Sequence, residues 1–291
     1  MTDTATRRDI VTAIPTSFRP DGGLDVEGSR EIFRYVARSG NEGAFVLGTT
    51  GEFPAVDDEE FRTLVELAMA ELAASLRVIV HVGQPSAYEA VRRVRIAREL
   101  GAREFAALTP YYLPAAEEAV YDYFAQVSEA VGDGALYVYV YPKRSGIPVA
   151  PELLVRLSQL PNVVGAKVSE LTLEELAAYR AVVPDDFVLY TGADRELVAA
   201  GAAGAQGVVS GVSSVLPKPF RDLARAADSG DDEQLARAQA AVDDVVRVIG
   251  GDMARMKAAY RHMGVADGVC RMALTTPDDA AIAEIERVVA A

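Results

Sequence analysis

The chain has 291 residues, half of them hydrophobic, with 43 acidic against 29 basic side chains and a formal net charge of −14. That charge repels phosphate backbones and argues against a nucleic-acid partner, and no apolar run reaches the roughly 18–20 residues that would span a bilayer. A single cysteine, Cys270, makes no internal disulfide and suits a reducing cytoplasm, and the polar opening "MTDTATRRD" lacks the apolar stretch of a secretory leader.

Taken in chain order, eight short apolar, β-branched runs stand out: residues 10–14 ("IVTAI"), 43–48 ("GAFVLG"), 77–83 ("RVIVHVG"), 104–109 ("EFAALT"), 135–141 ("ALYVYVY"), 163–168 ("VVGAKV"), 187–192 ("FVLYTG") and 207–212 ("GVVSGV"). Between them lie Ala/Leu/Glu/Arg-rich segments with helical periodicity. In "AYEAVRRVRIAREL", Val91, Val94, Ile96, Ala97 and Leu100 form a stripe, with Arg92, Arg93 and Arg98 expected to face away. Openings such as "DDEEF" and "SAYEA" put caps and acids at helix N-termini. Alternation of this kind predicts a parallel sheet with right-handed crossovers, and eight units predict a closed TIM (β/α)8 barrel. An eighth helix near 217–228 is followed by helical stretches near 232–250, 253–264 and 277–290. The expected division is a barrel over residues 1–228 and a C-terminal three-helix extension over 229–291.

In such barrels the chemistry sits at the carboxyl ends of the strands. The second run ends in "GTTGEF", where Gly48 and Gly51 permit close backbone approach and Thr49 and Thr50 add hydroxyls. The stretch reads either as a structural turn or as an anion cradle. The fourth ends in "TPYYLP", two tyrosines that suit rim packing, an interface or catalysis. In the fifth, alternation puts Tyr137, Tyr139 and Tyr141 on one face, and each phenol inside a barrel needs a partner. Arg144 follows in a turn between Pro142 and Gly146, either a solvated loop arginine or a fixed clamp for a carboxylate.

The sixth run carries Lys167, one of only four lysines among 25 arginines. Its alternation neighbours Gly165 and Ser169 are small and leave room around the amine. Three readings stand open: a buried ion pair, a lysine reaching to the rim, and a nucleophile whose apolar surroundings favour the neutral amine. No G-x-G-x-x-G follows a strand and no lysine precedes Ser or Thr, so dinucleotide and P-loop fingerprints are missing. His81 and His262 are the only histidines, which leaves no metal motif. They read as packing or surface residues, with His81 placed to line a pocket at the end of strand three.

Together, "GTTGE", "TPYY", "Y-x-x-P-x-R-S-G" and "GxK" fall in one order and spacing that resembles the dihydrodipicolinate synthase / N-acetylneuraminate lyase family of Schiff-base aldolases. The resemblance covers nearly the whole chain. It implies that Lys167 condenses with the ketone of pyruvate or a related 2-keto acid, with no cofactor and no metal. It makes Tyr139 the proton shuttle, and Thr49 and Tyr112 its relay partners, Tyr112 reaching in from a neighbouring subunit. Thr50 with Gly48 and Gly51 would hold the keto-acid carboxylate, Val209 would line the binding site, and Arg144 would stand at the pocket mouth. A homotetramer built from tight dimers is implied as well.

The sequence departs from the synthase pattern at Val140, where Asn is usual, and in "HVGQPSA", where "GTGxNxT" is usual; Lys143 and "KVSE" differ too. These positions sit where the second substrate would bind. The leading expectation is therefore a synthase-like lyase on pyruvate or a pyruvate-derived 2-keto acid. A 2-keto-3-deoxy sugar-acid aldolase or dehydratase is the alternative, and a non-catalytic keto-acid-binding barrel a further one.

Overall fold

The computed structural model describes residues 7–290. Its eight strands are β1 (Asp9–Ala13), β2 (Gly43–Val46), β3 (Arg77–His81), β4 (Glu104–Leu108), β5 (Ala135–Val140), β6 (Val163–Val168), β7 (Val188–Thr191) and β8 (Gly207–Ser210). They close in sequence order into one parallel barrel, so the (β/α)8 expectation holds. Each observed strand lies within the predicted run or one residue outside it.

The intervening helices are α1 (Val26–Ala37), α2 (Asp58–Leu72), α3 (Ala87–Glu99), α4 (Glu117–Val131), α5 (Pro142–Ser145), α6 (Pro151–Ser158), α7 (Leu173–Val182), α8 (Leu197–Ala202) and α9 (Val212–Val215). After β8 and α9 come α10 (Pro217–Ser229) and the C-terminal extension α11 (Asp232–Val248), α12 (Met253–His262) and α13 (Asp279–Ala290). The expected caps are in place. Asp57 and Glu60 form a reciprocal capping box on α2, and Ser86 accepts the Glu89 N–H at the start of α3.

One helical face differs from expectation. Helix α3 buries Ala90, Arg93, Val94 and Ala97, so Arg93 lies inward while Val91 and Ile96 are only half-buried. Positions 90, 93, 94 and 97 are the i, i+3, i+4, i+7 set of a single face. The stripe is rotated by one position from the one read off the valines.

The chain gathers into two compact units. Among the described residues, the first comprises 7–9 and 79–209, and the second 10–78 and 210–290. Within the first, Tyr137 and Tyr190 pack at 6.1 Å. Their hydroxyls find carboxylates: Tyr190 donates to Asp9 at 2.8 Å and Tyr137 to Glu104 at 3.3 Å. These two buried phenols are thus satisfied as burial requires. Within the second, Tyr260 on α12 donates to the Ser214 carbonyl at 2.6 Å and stacks edge-on with Tyr35 of α1 at 5.8 Å, joining the extension to this half.

Candidate active site

In the first unit, Lys167 is the penultimate residue of β6, in register with Tyr139 of β5 and Tyr190 of β7. Two residues earlier, a Cβ on Gly165 would stand 2.4 Å from the Val188 carbonyl and 2.9 Å from the Tyr137 ring, so only glycine fits beneath the lysine. The side chain is 7 % exposed. Its Nζ donates to Ser169 Oγ at 2.5 Å and lies 3.9 Å from the centre of the Tyr139 ring. A Cβ on Gly192 of the β7 rim would come within 3.3 Å of that Nζ and 2.4 Å of the Ser169 hydroxyl.

The other three lysines each meet a carboxylate: Lys143 with Glu170, Lys218 with Asp222 and Lys257 with Glu52. Among the described residues Lys167 has no such partner. Of the three readings open from sequence, the buried ion pair is not what the described residues show. Ser169, expected only to leave space, supplies the hydroxyl that holds the amine.

Tyr139 is buried between this amine, the edge of His81 at 5.9 Å and the Tyr141 ring at 6.1 Å. His81 is fully buried and accepts the Leu108 N–H on Nε2 at 3.2 Å. Tyr141 lies just past the end of β5, half out of the interior. Its hydroxyl donates to Glu170 at 2.8 Å and receives Arg144 Nε at 3.5 Å. Burial pushes the Tyr141 phenol up. Glu170 sits at φ 58°, and Lys143 at 2.7 Å, then the Tyr141 hydroxyl, hold its carboxyl below the ordinary range.

Arg144 is carried by the single turn α5, which Ser145 pins through a 2.8 Å hydrogen bond from Thr109 and which Gly146 ends at φ 76°. Beyond this bridge a cleft of about 330 Å³ opens among Pro142, Lys143, Glu170, Leu171 and Tyr179; Lys167 does not line it. Val209 is buried in β8. Tyr112 does not join the cluster: it sits at φ 79° and is 90 % exposed.

In the second unit, β2 ends at Val46 and the "GTTGE" stretch forms a tight turn. It is bracketed by two non-glycine residues in left-handed conformation, Leu47 at φ 59° and Glu52 at φ 54°. Such conformations persist where surrounding contacts over-determine them. A Cβ on Gly48 would strike the Phe45 ring at 2.6 Å, and one on Gly51 would meet the Leu47 backbone at 3.0 Å. Thr16 Oγ1 donates to the Gly51 carbonyl at 2.9 Å, and the Glu52 N–H to the Thr49 carbonyl at 3.0 Å. Thr49 and Thr50 stay partly exposed at the carboxyl end of the strand.

Sequence reasoning missed the role of Glu52, read there only as a letter of "GTTGEF". It is fully buried, and its carboxylate meets Lys257 of α12. The signal was present: Lys257 is another of four lysines, and its neighbours Met256, Ala258, Ala259 and Tyr260 are apolar and buried. Cys270 lies close by. Burial pushes its thiol up to about 11, away from the thiolate form that a nucleophile needs.

The fold is a closed parallel (β/α)8 barrel with a buried lysine on its sixth strand. Residues 6–291 match the model of the dihydrodipicolinate synthetase family. The 4-hydroxy-tetrahydrodipicolinate synthase of Methylococcus capsulatus is 34% identical over 221 residues, covering 76% of each chain. A crystal structure of the dihydrodipicolinate synthase of Thermotoga maritima superposes with a TM-score of 0.89 at 29% identity, covering 98% of each chain. A sialic acid aldolase from Ruminococcus gnavus shares the fold, with a TM-score of 0.91 at 22% identity over 98% of this chain and 97% of the other. The chain belongs to the dihydrodipicolinate synthetase family.

Proposed function

We propose that the chain is a Schiff-base-forming lyase acting on pyruvate or a pyruvate-derived 2-keto acid, with Lys167 as the amine. The observation that carries this is the partner of Lys167: a serine hydroxyl and an aromatic face, where the chain's other lysines have carboxylates. An amine engaged by a neutral hydroxyl is available to a carbonyl carbon in a way that an ion-paired ammonium is not.

The steps follow from that chemistry. Nζ adds to the ketone carbon, and the carbinolamine oxygen leaves as water after taking a proton, giving a protonated imine. This cation draws electrons from the adjacent carbon, so a proton or a carbon–carbon bond there is lost to form an enamine. Protonation or attack on a second carbonyl uses up the enamine, and hydrolysis returns the amine. Tyr139, packed against the amine, is the proton carrier in this reading. By family resemblance Thr49 and Tyr112 complete its relay. Thr50 with Gly48 and Gly51 binds the carboxylate, Val209 lines the site, and Arg144 meets the second substrate.

The solvent-facing Tyr112 supports assembly into a homotetramer of tight dimers, in which that ring is covered by a second copy. Among the described residues no helix is long and apolar enough to cross a membrane, and we place the enzyme in the cytoplasm.

Borohydride reduction in the presence of pyruvate tests the assignment. One reduced pyruvyl adduct per chain on Lys167 is expected; labelling elsewhere, or none, overturns it. A panel of aldehydes and 2-keto-3-deoxy acids then separates condensation, cleavage and dehydration.

A further inference from the structure

The residue that closes the Gly48–Gly51 turn is also the partner of the chain's second buried lysine. We propose that the Glu52–Lys257 pair is a positioning device, fastening the Thr49–Thr50 turn to α12 and to residues 269–272 so that the C-terminal extension sets the turn's geometry. The inference rests on the reading above that this turn holds the keto-acid carboxylate.

Both oxygens of Glu52 are engaged. Oε1 takes the Lys257 ammonium, while Oε2 takes the Arg271 N–H at 2.9 Å and the Met272 N–H at 2.7 Å. Lys257 in turn donates to the Val269 carbonyl at 2.7 Å and stands 4.9 Å from the Phe18 ring. Phe18 forms a β-bridge with Val269, so the 269–272 segment is held from both sides. Its outer end is anchored by the Arg271 guanidinium, which meets both oxygens of Glu60 at 2.6 Å, the Ala55 carbonyl at 2.6 Å and the Gly22 carbonyl at 2.8 Å. One carboxylate thus joins a turn, a helix and an extended segment 205 to 220 residues away in sequence.

Stability alone does not call for this arrangement. A buried ion pair is often replaceable by well-packed apolar residues at no cost, because desolvation cancels most of the attraction. An apolar pair, however, has no directional bonds with which to hold Glu52 in its left-handed conformation beside the turn. Helix α12 also touches the turn's surroundings through the preceding residue. A Cβ on Gly211 would meet Met256 Cε at 2.5 Å and Thr50 Oγ1 at 3.4 Å, so Met256 and Thr50 both border this glycine. Successive residues of one helix therefore reach the glycine beside Thr50 and the glutamate two residues beyond that threonine.

The test uses full-length Glu52→Asp, which keeps the charge but withdraws it by one methylene, and the neutral double variant Glu52→Gln/Lys257→Gln. The pyruvate concentration giving half-maximal borohydride trapping is measured together with the plateau per folded chain. Both variants are expected to raise the half-saturating concentration about tenfold, the equivalent of about 1.4 kcal/mol of lost carboxylate binding, with the plateau within about twofold. A half-saturating concentration unchanged in whichever variant folds overturns the positioning role, and so does a lowered plateau alone, which marks only lost structure. Absence of trapping in the unaltered chain overturns the underlying keto-acid reading instead.

Discussion

Lys167 and Lys257 are buried to nearly the same depth, 7 % and 3 % exposed, yet their surroundings are opposite in kind. Lys257 faces a fully buried carboxylate and a backbone carbonyl, and its ammonium is part of a network that ties chain segments together. Lys167 faces one hydroxyl and two tyrosine rings. Burial of a lysine is therefore not the mark of a nucleophile. What distinguishes the two is whether the charge has been answered.

Replacing each lysine by methionine breaks the comparison most sharply. Lys167→Met is expected to lower turnover on the order of 10⁴-fold, as loss of a covalent nucleophile does. Its unfolding midpoint should stay within about 4 °C, since no ion pair is lost. Lys257→Met should do the reverse, costing about 3–5 kcal/mol in denaturant unfolding because Glu52 is left charged and buried. Equal stability of the two variants would erase the distinction.

A smaller effect is expected at the ring beside the amine. Tyr139→Phe keeps the packing and removes the hydroxyl, and turnover should fall about 10²-fold if this phenol carries the protons. Steady-state rates with a coupled assay read it; unaltered turnover would move the proton transfers to another group.

The smallest effect concerns acid. Arg271 holds the Glu60 carboxyl below its ordinary range. The pair's contribution is therefore complete above the unfolded-state value of about 4.3 and disappears as pH falls through the lower folded value. The loss should be on the order of 1 kcal/mol, and Glu60→Gln should flatten the stability profile across that window. A profile as steep in Glu60→Gln as in the parent chain would detach this bridge from the Lys257 network.

Much of this was legible in the chain because it is written locally. Strand alternation, helix caps and the isolation of Lys167 among apolar neighbours lie within a few residues of one another, and they located all eight strands and singled out a buried lysine. The Glu52–Lys257 contact joins positions 205 apart, and no local period encodes it. Arg93 was misplaced because the valine spacing of α3 fits two adjacent stripes, and only packing selects between them. Ser169 was read for its size alone. Whether a small residue on a strand supplies space or a hydrogen bond depends on where the next side chain points.

The glycine at 192 carries a consequence for anyone reshaping this barrel. Because a methyl there would press on both the Lys167 amine and the serine that holds it, the room around that amine is set from the neighbouring strand's end. A side chain wedged in just past β7 would accordingly crowd the amine while Lys167 and Ser169 themselves stay unaltered.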